Sequence, residues 1–188
     1  MTVLVPLGNP GAEYAATRHN LGRIMLQRWM EDHCPNPAVV HRFGAGMLYR
    51  LKHPFLALVP GTYMNHSGQV CLEAAKAGFG PERMVLLYDD KDLPLGEGRF
   101  RLTGSDGGHN GVRSVLEHLG TPDVARLRLG IGPFTRPLAD YVLGEWTDEE
   151  WERLDAMDAP FAAFMDQLAA AGSLSDLAGK AGFKLNLA

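Results

Sequence analysis

The run Met84-Val85-Leu86-Leu87-Tyr88, followed at once by Asp89-Asp90-Lys91-Asp92, constrains the chain more than any other stretch. Five apolar residues without a polar interruption read as a buried strand, and the charged residues after them mark its emergence at a polar edge. A strand of this kind needs a sheet around it and helices over the sheet. Residues 2–7 form another short apolar run, stopped by the turn formers Gly8-Asn9-Pro10-Gly11. Leu21, Ile24, Met25 and Trp29 recur at helical spacing and predict a first helix over about 20–33, ended by Cys34-Pro35-Asn36-Pro37. Residues 38–60 read as strands, with 47–51 and 55–59 flanking a turn at Lys52-His53-Pro54.

Farther on, Val70 to Ala77 predicts a helix closed by Gly78, and Gly96 to Thr103 a strand. The turn-forming segment from Gly104 to Gly111 leads into a helix carried by Val112, Val115, Leu116 and Leu119. Charged and apolar residues alternate from Arg126 to Ile131, as in a half-buried strand. From Asp140 onward the chain is expected to be mostly helical. There Thr147 reads as a cap before an acidic first turn, and Pro160 as a break in the helix or the start of a new one. Strands alternate with helices and no linker or repeat intervenes. The expected fold class is therefore α/β, a single domain over residues 1–188 with a mixed sheet covered by helices. Such sheets bind ligands in loops beyond the carboxyl ends of strands. Polar segments after Leu7, after Tyr88 and around His109 fit that position.

Other features narrow the chemistry. Cys34 and Cys71 are the only cysteines and form no CxxC pair, which argues for packed thiols in a reducing compartment rather than a disulfide scaffold or a structural metal site. No apolar run reaches the length of a membrane span, and the N-terminus lacks the basic lead of a signal peptide. The formal net charge of −4 argues mildly against nucleic acid. Residues 139–166, however, hold nine acidic residues and one basic, which leaves 17 basic against 13 acidic elsewhere and room for a basic face. Neither a dinucleotide fingerprint nor a GxxxxGK[ST] loop occurs, nor a G-x-S-x-G elbow, nor metal-ligand spacing such as HExxH. His19 reads either as a surface histidine or as the natural general base of a metal-free hydrolase, and Asp89, after a hydrophobic strand, either as a solvated turn carboxylate or as a carboxylate that orients it. A His–Asp pair without a nucleophile points to activated water. Asn9, Asn65 and Asn110 lie in loop-like settings, where they read either as caps and turns or as convergent amides that orient a polar substrate. Arg99, Arg101, Arg113, Arg126 and Arg128 read either as solvated strand and helix edges or as phosphate contacts.

Taken together, Leu7-Gly8-Asn9-Pro10-Gly11-Ala12-Glu13-Tyr14-Ala15-Ala16-Thr17-Arg18-His19-Asn20, Tyr63-Met64-Asn65-His66-Ser67-Gly68, Asp89-Asp90-Lys91-Asp92-Leu93-Pro94, Gly107-Gly108-His109-Asn110-Gly111, Arg126-Leu127-Arg128-Leu129-Gly130-Ile131-Gly132 and Tyr141-Val142-Leu143 resemble, in order and spacing, the bacterial-type peptidyl-tRNA hydrolase family. The resemblance implies a mixed twisted sheet surrounded by helices. It also implies a cytoplasmic monomer that needs no cofactor, with peptidyl-tRNA as partner and no membrane. The activity it implies is cleavage of the ester joining a peptide, or an N-blocked aminoacyl group, to the terminal ribose of tRNA. By motif match His19 is the catalytic histidine and Asp89 its orienting carboxylate. Asn9, Asn65 and Asn110 are active-site amides, Tyr14 and Met64 line the cleft, and His109 has a secondary role. Arg99 and Arg128, with Arg101 contributing, are expected near tRNA phosphates. Pro6 departs from the family's usual glycine, Asp106 would repel phosphate unless paired, and the C-terminal segment has only Lys180 and Lys184 as basic residues. The rival readings are a non-catalytic RNA-binding module and a small esterase acting on a non-RNA ester.

Overall fold

A computed structural model describes residues 1–134 and 136–185. Eight strands form one mixed sheet: β1 (Thr2–Pro6), β2 (Ala38–Phe43), β3 (Gly46–Arg50), β4 (Phe55–Pro60), β5 (Met84–Pro94), β6 (Glu97–Arg101), β7 (Ala125–Gly132) and β8 (Gly182–Lys184). Their order is β2-β3-β4-β1-β5-β7-β6-β8. β4, β1, β5 and β7 run parallel at the centre, while β2–β3, β3–β4, β6–β7 and β6–β8 pair antiparallel. The helices are α1 (Leu21–His33), α2 (Ser67–Lys76), α3 (Asn110–Leu119), α4 (Leu138–Val142) and α5 (Asp148–Ala170).

Period-2 alternation in the central strands separates two cores. Leu4, Val85, Leu87, Leu127 and Leu129 pack with Leu21, Met25 and Trp29 of α1 and with Leu154, Phe161 and Phe164 of α5. Val3, Val5, Leu86 and Tyr88 point to the other face, against Val70 and Cys71 of α2 and Val112 and Val115 of α3. The expected α/β class therefore holds, with helices on both faces. Both cysteines are free. Burial pushes the Cys71 thiol up to about 12, so it behaves as a packing group.

Several boundaries differ from the sequence reading. β5 runs on through Asp89, Asp90 and Leu93 to Pro94, because Asp89 and Asp90 stay in register with Leu129 and Gly130 of β7 and find partners for their charges. The helices α2 and α3 begin at Ser67 and Asn110, ahead of their first apolar residues. Pro160 neither breaks nor begins a helix. It lies inside α5, which stays continuous because Leu154, Met157, Phe161, Phe164 and Met165 bury one face on both sides of it. Residues 182–184, in a stretch expected to be helical, add β8 to the edge, where Lys184 pairs with Glu97 at 2.9 Å. Thr147 caps α5 as expected, in a full capping box with Glu150.

Candidate active site

The loops that follow β4 and β1 emerge side by side at the carboxyl ends of those parallel strands, and β5, the other neighbour of β1, runs on past them through Asp89. The loop before α3 joins them through His109. Ligands of open α/β sheets bind in such a crevice. The turn carrying His19, residues 18–20, leads directly into α1. Gly22, in the first turn of that helix, lies so close to β5 that a Cβ there would overlap the Leu87 carbonyl oxygen. Only glycine permits this approach, and it sets His19 beside the middle of β5. The His19 Nδ1 then lies 2.9 Å and 3.1 Å from the two carboxylate oxygens of Asp89.

Asp89 serves a second imidazole. His109 Nε2 donates to Asp89 Oδ1 at 2.9 Å, and its Nδ1 accepts from the Val112 N–H at 3.2 Å as the N-cap of α3. The two rings lie 4.7 Å apart, and Tyr88 packs edge-on against His109. These bonds divide the roles. Both nitrogens of His109 are occupied, whereas His19, with Nδ1 donating to Asp89, keeps Nε2 for other work. Burial alone would lower the His19 pKa from 6.5, but the Asp89 charge and hydrogen bond outweigh it and raise it. Burial would likewise raise the Asp89 carboxyl, yet the facing histidines hold it well below its ordinary range.

His19, Asp89 and His109 line a cleft of about 180 Å³ together with Asn110, Lys91, and Leu138 and Val142 of α4. Asn9 is buried beside it. Its backbone N–H and C=O are both bonded to the Asn20 amide, at 2.8 Å and 2.9 Å, and its Oδ1 accepts from Met64 N at 2.7 Å. With Oδ1 so engaged, the Asn9 amide nitrogen remains as the donor of this side chain. Met64 is buried under Gly111, where a Cβ would come within 2.5 Å of the methionine sulfur. Asn65 and Asn110 are exposed, and Tyr14 meets Tyr63 edge-on at 6.2 Å. Asn9, Tyr14, Met64 and Asn65 thus sit on the β1 and β4 loops, outside the lining of the His19 cleft itself. Among the described residues His19, Asp89 and His109 also form a trio with metal-ligating atoms, all within 4.8 Å of one another. Their polar atoms are joined in the hydrogen bonds already given.

The arginines divide into three kinds. Arg126 is no surface cation: it is 1% exposed and donates to the carbonyls of Val124, Ser105 and Pro122. Arg99 and Arg128 are register partners on β6 and β7, paired with Glu97 at 2.9 Å and with Asp90 at 2.6 Å. Arg101 is exposed and, among the described residues, its side chain donates only to the neighbouring Phe100 carbonyl. Asp106 is paired after all, with Arg113 and the Gly108 N–H. Sequence reasoning missed the α4 wall, Lys91 as a lining residue, and Asn20 as the clamp on Asn9. Asn20 lay in plain view in the first motif, but nothing in its spacing separates a clamp from a helix cap.

Residues 3–182 match the model of the family described as peptidyl-tRNA hydrolase. The peptidyl-tRNA hydrolase of Campylobacter fetus is 37% identical over 180 residues, spanning 96% of this chain and 97% of that protein. That of Gloeobacter violaceus is 42% identical over 166 residues, spanning 84% and 82%. A crystal structure of the peptidyl-tRNA hydrolase from Acinetobacter baumannii superposes with a TM-score of 0.80 at 31% identity, covering 90% of this chain and 88% of that one. These likenesses place the chain among hydrolytic enzymes. More closely, it belongs to the peptidyl-tRNA hydrolase family, whose model spans the site and every strand that positions it.

Proposed function

We propose that the chain cleaves the ester between a peptide, or an N-blocked aminoacyl group, and the terminal ribose of tRNA, using water activated by His19. The observation that carries the mechanism is the division of labour on Asp89: of its two histidines, only His19 keeps a ring nitrogen for a proton from water. His19 Nε2 takes that proton as the water oxygen attacks the ester carbonyl carbon. Asp89 holds the ring and stabilises the imidazolium. When the tetrahedral intermediate collapses, the bond to the ribose oxygen breaks and the imidazolium returns its proton to that oxygen. The amide nitrogen of Asn9, whose oxygen is engaged by Met64 N–H, and the amide of Asn110, at the start of α3, suit a role in orienting the water or the developing oxyanion. Asn65 and Tyr14 grip the peptide portion against the Met64 wall, and His109 keeps Asp89 in place.

Arg99, Arg101 and Arg128 contact tRNA phosphates beyond the cleft, which gives preference for tRNA over a free ester. Arg99 and Arg128 exchange their carboxylate partners for phosphate on binding. The whole chain works as one catalytic unit, as a monomer in the cytoplasm, and among the described residues no helix is long and apolar enough to cross a membrane. The test is incubation of the purified protein with N-acetyl-aminoacyl-tRNA at neutral pH. Release of N-acetyl amino acid supports the reading. Binding without cleavage would favour an RNA-binding module. Efficient cleavage of a simple ester that tRNA fails to inhibit would favour a different esterase.

A further inference from the structure

Directly before His19 stands Arg18, a cation 3% exposed that the mechanism does not use. Its Nη2 donates to Glu150 Oε2 at 2.5 Å, and its Nη1 reaches the Tyr141 carbonyl at 3.4 Å. The guanidinium carbon lies 4.4 Å from the Tyr141 ring centroid and 5.2 Å from that of Trp146. The backbone repeats the link: Arg18 N–H donates to the Gly144 carbonyl at 3.1 Å, and Thr17 bridges Glu145. A Cβ at Gly144 would overlap Arg136 Nη2 and come within 2.9 Å of Arg18 Nη1, so the segment closes tightly on both guanidinium groups. Glu150 Oε2 also accepts from the Thr147 N–H at 2.8 Å, which wires Arg18 into the cap of α5. Stability alone gives little reason for this arrangement. A buried ion pair contributes little net stability, and Arg18 Nε finds no acceptor among the described residues. The arrangement joins two parts of the site, since the residue after Arg18 is His19 and the segment it clasps continues α4, whose Leu138 and Val142 wall the cleft.

We propose that Arg18 is a positioning residue: by clasping Tyr141, Gly144 and Glu150, it fixes the α4 wall of the cleft against the turn that carries His19. The proposal rests on His19 being the base. Its expected signature is a loss in turnover rather than in affinity, because misplacing a reacting group by about 1 Å can cost about a hundredfold in rate. Substrate affinity rests instead on phosphate contacts elsewhere.

The experiment compares Arg18→Met, Glu150→Gln and their double variant with Thr147→Ala, in kcat, KM and Tm on N-acetyl-aminoacyl-tRNA. Arg18→Met keeps an apolar chain under the two rings and is expected to lose at least about tenfold in kcat, with KM within about threefold. Thr147→Ala removes the other half of the cap without touching Arg18, and is expected to lower Tm while keeping kcat within about twofold. Adding Glu150→Gln to Arg18→Met is expected to cost less than about twofold more, because the clasp is already open. A kcat for Arg18→Met within twofold of the parent overturns the proposal, as does an equal kcat loss in Thr147→Ala. Should Arg18→Met fail to fold, Glu150→Ala, which removes the acceptor of both Arg18 and the Thr147 N–H, carries the test against Thr147→Ala. A kcat loss at least about threefold beyond that of Thr147→Ala supports the clasp, and a kcat equal to that of Thr147→Ala overturns it. Turnover surviving in His19→Ala would sink the assignment of the base itself, whatever Arg18 does.

Discussion

Replacing Asp89 with Asn tests how the carboxylate acts on the base. His109 can donate only through Nε2, because its Nδ1 is engaged by Val112 N–H. The new side chain therefore keeps its oxygen at the Oδ1 position and presents its NH₂ where Oδ2 stood, 3.1 Å from His19 Nδ1. His19 Nδ1–H loses the charge it faces and meets a donor at one of its two contacts. A hydrogen bond to a charged partner contributes about 1.5–3 kcal/mol net. If that support is lost as the imidazolium forms, at about 1.4 kcal/mol per decade, kcat falls about 10- to 150-fold. The penalty grows toward the roughly 10⁴-fold known for the same change in serine proteases only if the ring flips to the wrong tautomer. Here the oxygen at 2.9 Å still accepts from Nδ1 and opposes that flip. The expected outcome is a kcat about a hundredfold lower, with KM nearly unchanged, in single-turnover hydrolysis of N-acetyl-aminoacyl-tRNA. A kcat within threefold of the parent, in folded protein, would refute the reasoning.

Further outcomes follow from the same geometry. His19 acts as a base when neutral and its pKa is raised, so kcat/KM should climb with pH through a limb lying above 6.5. In Asp89→Asn burial acts unopposed and that limb should move to lower pH. For stability, the His19–Asp89 contact contributes fully below 6.5 on the histidine side and is lost as pH rises through the raised value. On the aspartate side it is kept above 3.8 and lost as pH falls toward the depressed value. Thermal melts across pH check both signs. Arg128→Ala should raise KM for the tRNA substrate and flatten the dependence of log KM on log salt by roughly 0.7–0.9, while leaving a short N-acyl ester substrate unaffected. Gly22→Ala forces a methyl into the Leu87 carbonyl and should cost about 1–3 kcal/mol in denaturant melts, with kcat falling as His19 shifts away from Asp89.

Much of this fold could be read from periodicity and caps, because the central strands are apolar runs, α1 repeats apolar residues at helical spacing, and α5 opens with a capping box. What escaped did so for physical reasons. The charged end of β5 reads as a loop until Arg128 and the two histidines are seen to satisfy it. Pro160 reads as a break until tertiary burial on both sides is known. β8 is three residues held by a long-range partner strand, which no local pattern reports. At the site, His19 and Asp89 were legible as a chemical pair, but resemblance alone suggested a role for His109, and its sharing of Asp89 appears only in space. Arg126 reads like its neighbours in an alternating strand, yet the loop carbonyls of Ser105 and Pro122 make it a structural donor.

The imidazole of residue 19 carries the whole account of turnover, and its removal is the most direct measurement. His19→Ala, shown to be folded by its circular dichroism and melting curve, should bind peptidyl-tRNA and hydrolyse it at least about a hundredfold more slowly than the parent at neutral pH. Hydrolysis within tenfold of the parent would contradict the account.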